Sequence, residues 1–203
     1  MSQILIFGAS ITYGAWDVEN GGWVQRLRSY IEIKNNKQDF IYNLGVPGDS
    51  TSNLLQRFEN EAVARIESGE ETIFIFCIGI NDSAIIKNKQ QATEPNDFKN
   101  NLVKLVTLAK KYSDKIIFIG LTQGEESKIA PVPWNNDFYY HNFRIEEYNK
   151  IIGNVCLEND LPFVDMIDLL NVGDLEDGLH PNAVGHEKIF YTVKDFLVKN
   201  KVI

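Results

Sequence analysis

Ile73-Phe74-Ile75-Phe76-Cys77-Ile78 runs apolar from end to end. A strand with one wet face alternates apolar and polar residues. A strand covered on both faces has no such need, and continuous apolar runs suit the buried strands of a parallel sheet. Ile116–Leu121 has the same character, with Gly120 as its only small residue. Ile4–Phe7, Phe40–Leu44 and Phe163–Val164 complete a set of five such runs. Helical spacing fills the gaps. Trp23, Leu27, Tyr30 and Ile31 recur on one face, as do Leu54, Leu55, Phe58, Ala62 and Ile66. Phe98, Leu102, Leu105, Val106 and Ala109 give a third helix, and Tyr148, Ile151, Ile152, Val155 and Cys156 a fourth. Ile189, Phe190, Val193, Phe196 and Leu197 close the series. Strand and helix alternating in this way predict a doubly wound α/β fold, a three-layer α/β/α sandwich on a five-stranded parallel sheet.

The 203 residues fit one domain, residues 1–203, with 44% hydrophobic and 24% charged residues. That composition excludes a disordered chain, a collagen-like fibre and a membrane bundle. No apolar stretch approaches the ~20 residues of a spanning helix, so no membrane span is expected. The net charge of -8 opposes binding along a phosphate backbone, so nucleic acid is not an expected partner. Cys77 and Cys156 are the only cysteines, too few for a disulfide framework or a CxxC metal pair. With no visible signal segment, they point to a reduced, cytoplasmic setting. The pattern says nothing about oligomeric state.

In open parallel sheets the active crevice lies beyond the carboxyl ends of the strands. Gly8-Ala9-Ser10-Ile11-Thr12 follows the first strand, and Gly45-Val46-Pro47-Gly48-Asp49-Ser50-Thr51 the second. Gly79-Ile80-Asn81-Asp82 follows the third, and Asp177-Gly178-Leu179-His180-Pro181 comes after the fifth. Ser10 reads either as a helix N-cap or as a nucleophile aimed into the crevice. The loop matches neither nucleotide phosphate loop, nor the GxSxG elbow. His180 is a loop histidine or a general base, with Asp177 three residues earlier to orient it. Gly48 offers a backbone N–H at close range and Asn81 a side-chain amide, both useful to a developing oxyanion. Residues 122–142 form the one long irregular stretch, rich in Pro and aromatic residues. Trp134, Phe138, Tyr139 and His141 are expected to line a substrate pocket there. His186 is expected on the surface of the last helix.

The ordered set resembles the SGNH hydrolases, also called the GDSL lipase/acylhydrolase family. The likeness rests on Gly8-Ala9-Ser10, on Gly45 to Thr51, on Gly79-Ile80-Asn81-Asp82 and on Asp177-Gly178-Leu179-His180, and it spans nearly the whole chain. It implies a flavodoxin-like strand order and a carboxylic ester hydrolase working through Ser10, His180 and Asp177. It implies an oxyanion hole of Ser10, Gly48 and Asn81, a small-molecule ester as partner, and no metal or other cofactor. Gly21-Gly22-Trp23 is similar to a segment of small-ester hydrolases in that family, which favours a short acyl chain. Ala9 stands where the family carries an Asp, and the missing carboxylate removes one brace of the serine loop.

Three other readings remain open on these residues. One is a thioesterase or lysophospholipase of the same mechanism. Another is a non-catalytic binding module on the same fold. The third uses Asp165, Asp168, Asp174, Glu176 and Asp177 as a cation site, although their spacing is not that of an EF-hand loop.

Overall fold

The structure is a computed structural model that describes residues 2–34, 39–87 and 90–203. Its elements, in chain order, begin β1 (Ser2–Gly8), α1 (Ser10–Tyr13), α2 (Gly22–Lys34), β2 (Phe40–Gly45), α3 (Thr51–Val63) and β3 (Glu71–Cys77). They continue β4 (Ile85–Ile86), β5 (Gln90–Gln91), α4 (Pro95–Ala109), β6 (Ile116–Ile119), α5 (Glu126–Ile129) and β7 (Phe138–Tyr139). The chain ends α6 (Asn142–Glu158), β8 (Phe163–Val164) and α7 (Ala183–Lys199).

β2-β1-β3-β6-β8 form one parallel sheet, and each of the five apolar runs is one of its strands. Numbering only those strands gives the order 2-1-3-4-5, the flavodoxin-like order whose switch point lies between the first and third strands. The sheet is buried on both faces because alternate side chains go to different layers. Leu5, Phe7, Phe74, Phe76, Ile116 and Phe118 point to one side, where α3, α4 and α6 cover them. Ile4, Ile6, Ile73, Ile75, Ile117 and Ile119 point to the other, against α2 and α7. The three-layer sandwich therefore follows from apolar residues at consecutive positions.

The register puts the carboxyl ends of three strands level. Gly8 at the end of β1 pairs with Gly45 on one side and Cys77 on the other. The loops that follow leave the sheet side by side, which is what brings distant motifs to one edge.

Residues 122–142 are not one irregular stretch. They hold α5, an isolated bridge between Val132 and Asn135, and β7. β7 pairs with β4, which pairs with β5, in a second, antiparallel sheet. Elements this short carry no readable periodicity, so the sequence gives no sign of them.

Candidate active site

Ser10 is the first residue of α1, and Ala9, not Ser10, holds the N-cap position. The N-cap reading therefore fails, and the hydroxyl is used elsewhere. Its Oγ lies 2.8 Å from His180 Nε2. On the other side of the ring, His180 Nδ1 lies 2.7 Å from Asp177 Oδ2. A carboxylate only accepts, so Nδ1 carries the proton and Nε2 is left to accept from the serine.

The loop from Asp177 to His180 is built to hold this geometry. Asp177 Oδ1 accepts the backbone N–H groups of Leu179 at 3.0 Å and His180 at 2.8 Å, a side-chain-closed turn. Asn182 then caps α7 by accepting from Val184 and Gly185, which fixes the chain just beyond His180. Burial by itself raises the Asp177 carboxyl. The hydrogen bonds from the His180 ring and from the two backbone N–H groups outweigh it, and hold the group at about 2. It is an anion at neutral pH.

Gly48 and Asn81 meet in a neighbouring cavity of about 340 Å³, lined also by Trp134, Phe138 and Tyr140. Gly48 sits in a turn at φ +86°, a conformation that suits a residue without Cβ. Asn81 Nδ2 donates to the Asp49 carbonyl at 2.9 Å, tying the amide to the turn that contains Gly48. Tyr140 donates its hydroxyl to Asn81 Oδ1 at 2.9 Å. The Asp49 carbonyl takes one of the two N–H groups of the Asn81 amide, which leaves the other to spare. Burial pushes the Tyr140 phenol up, so it remains a donor. Trp134 joins the two halves of the site, since it lines the cavity and its ring centroid lies 5.4 Å from that of His180.

Asp82 locks the loops to one another. It is fully buried, and it accepts from the N–H and hydroxyl of Thr51 and from the hydroxyl of Thr93. Burial raises its pKa, and the Thr51 and Thr93 hydrogen bonds pull the other way. Arg57 braces the same edge. It pairs with Asp49 at 2.7 Å and donates to the carbonyls of Leu44 at 2.9 Å and Gly8 at 3.2 Å. The residue before Ala9 is thus held by a guanidinium from α3.

Two expected pocket residues lie elsewhere. Phe138 and Tyr140 share the cavity face of the β7 segment, and alternation turns Tyr139 to the opposite face. His141 is drawn to Glu126, with Nδ1 at 3.1 Å from Oε1, and stacks on Phe143 instead. His186 is not a surface residue. It is fully buried, and bonds α7 to the start of α2 and to Ala15. Tyr140 and Arg57 brace the site and were missed by sequence reading. Only the aromatic richness around Tyr140 hinted at either of them.

The acidic stretch does not converge. Asp174 pairs with Lys188 at 2.6 Å, Asp165 binds Asn149, and Asp177 serves His180. Among the described residues no three His, Cys, Asp or Glu side chains group so as to hold a metal ion. Burial pushes the Cys77 thiol up to about 11 and Cys156 up to about 12, so neither is a ready nucleophile.

A sequence profile of the GDSL-like lipase/acylhydrolase family matches residues 6–188, which takes in every loop of this site. The chain belongs to that family. A lipoprotein from Bacillus subtilis strain 168 is 24% identical over 180 residues, covering 80% of this chain and 70% of the relative. Among crystal structures, a member of the lipolytic G-D-S-L family from Veillonella parvula superposes with a TM-score of 0.74 at 22% identity, over 96% of this chain and 97% of the other. A lipase/acylhydrolase from Enterococcus faecalis gives 0.72 at 23% identity, over 97% and 95%. A catalytic mutant of an acetylxylan esterase from Geobacillus stearothermophilus gives 0.72 at 19% identity, over 96% and 92%. These likenesses establish the shared fold. Among the described residues of this family member, no helix is long and apolar enough to cross a membrane.

Proposed function

We propose that the chain hydrolyses a carboxylic ester of a short acyl chain through an acyl-enzyme on Ser10. The observation that carries this is the continuous hydrogen-bonded line from Ser10 Oγ through His180 to Asp177, at 2.8 and 2.7 Å. Ser10 Oγ attacks the ester carbonyl as His180 Nε2 takes its proton. Asp177 keeps the ring in the tautomer that can do so, and stabilises the imidazolium that results. Negative charge on the carbonyl oxygen is met by the N–H groups of Ser10 and Gly48 and by the spare N–H of Asn81. The C–O bond to the alcohol breaks as His180 returns the proton to the leaving oxygen. Water, deprotonated by the same imidazole, then attacks the acyl carbonyl, and the acid leaves as the bond to Ser10 Oγ breaks and His180 returns the proton to that oxygen.

The cavity beside Asn81 supports the short-chain reading. Its volume of about 340 Å³ lies near the lower end of ligand pockets, and its walls are Val132, Trp134, Phe138 and Tyr140. The named activity of the acetylxylan esterase neighbour involves a small acyl group as well.

A chain-length series of p-nitrophenyl esters, run beside acyl-CoA substrates, tests the assignment. Hydrolysis is expected to peak at short acyl chains, and to fall by at least about 10³-fold in Ser10→Ala. A serine-reactive phosphonate should label Ser10 and nothing else. Absence of both hydrolysis and labelling would leave a binding module, and a preference for long acyl-CoA would make the chain a thioesterase.

A further inference from the structure

We propose that Trp16 is a positioning residue for the catalytic dyad, a reading that rests on the proposed serine mechanism. Its indole Nε1 donates to Asp177 Oδ2 at 2.7 Å. The same oxygen accepts from His180 Nδ1, also at 2.7 Å. Oδ1 is held by two backbone N–H groups, and among the described residues Trp16 is the only partner besides His180 that holds Oδ2. With both oxygens pinned, the carboxylate stays in line with the imidazole.

Packing does not explain this tryptophan. It is 54% exposed, where Trp23 is fully buried. Its backbone has φ +70°, a left-handed conformation that bulky residues seldom adopt. Strain of that kind persists only where the surroundings over-determine it. Here they do, on both sides of the residue. Ala15 is held by His186, whose Nε2 donates to the Ala15 carbonyl at 2.9 Å while Nδ1 accepts from Trp23 N–H. Asp17 is buried, and its carboxylate accepts from Gly22 N–H, Arg26 and Asn20. The neck of the loop is closed by Gly14, where a Cβ would meet the Gly21 carbonyl oxygen at 2.4 Å. The loop's buried polar groups therefore serve to present one half-exposed indole N–H to one carboxylate oxygen.

Trp16→Phe removes the N–H and keeps most of the ring. With a p-nitrophenyl ester the variant is expected to lose about tenfold in kcat with KM unchanged, because the donor acts on the base and not on the substrate. The acid limb of kcat/KM should move to higher pH, since a carboxylate relieved of one donor holds the imidazolium more tightly. Wild-type kcat and an unmoved profile in Trp16→Phe would overturn the proposal. A second measurement needs neither turnover nor the Phe variant's fold. In ¹⁵N-labelled protein, the Trp16 indole N–H resonance should shift in Asp177→Ala and exchange faster with solvent. An unchanged resonance would also overturn the proposal, whereas failure of every ester and of phosphonate labelling would count against the serine mechanism alone.

Discussion

Asp177 is only 13% exposed as a side chain, yet it stays ionised because its hydrogen bonds outweigh the cost of burial. A carboxyl held at about 2 in the fold, against 3.8 when free, contributes about 2 kcal/mol of stability. Because the folded value is the lower one, that contribution is present above about pH 4 and is lost as pH falls through about 2. Denaturant unfolding at steps from pH 5 to pH 2 should show wild type losing about 2 kcal/mol more than Asp177→Asn over that window. Equal losses would contradict the assigned environment. At this scale the reading from sequence went far but unevenly. Ser10, Gly48, Asn81, Asp177 and His180 were recognisable because short motifs carry them in order. Trp16 and Tyr140 were not. Each acts through one hydrogen bond to a residue far away in the chain, Asp177 and Asn81 respectively, and no local spacing encodes such a partner.

The elements show a similar division. The five core strands announce themselves because burial on both faces demands apolar residues throughout. β4, β5 and β7, at two residues each, escape notice. Yet β7 carries Phe138 to the cavity wall, and Tyr140 follows it to brace Asn81. What joins the elements at the site is polar and buried. Asp82, from the turn after β3, bonds the first residue of α3 and the Thr93 hydroxyl ahead of α4. Asp82→Ala leaves those buried donors without an acceptor, at a cost of about 3 kcal/mol. For a chain of this length that lowers Tm by about 8 °C. Because Asp82 follows Asn81 and holds Thr51 near Gly48, hydrolysis should fall too. Calorimetry and ester assays on the variant check both effects. A Tm within about 2 °C of wild type would show that Asp82 does not tie the loops together.

For the whole molecule, the sheet's aromatic layer matters most. The Phe76 ring is fully buried and lies 5.1 Å from Phe118, 5.6 Å from Phe58 and 5.8 Å from Phe7, which links β1, β3, β6 and α3. Phe76→Ala opens a hole at that junction and should cost about 4 kcal/mol, or about 10 °C in Tm by calorimetry. A shift under about 3 °C would mean that the neighbours close the space. Apolar runs, helical spacing and four ordered motifs were enough to establish an α/β sandwich, its family and its candidate nucleophile, because hydrophobic period and short motifs are local properties of a chain. The level ends of β1, β2 and β3, the bracing of Gly8 by Arg57 and the indole on Asp177 became visible only once the chain was folded. Those features depend on sheet register and on hydrogen bonds spanning tens of residues or more. Their geometry is settled by packing of the whole molecule, and so leaves no periodic trace along the sequence.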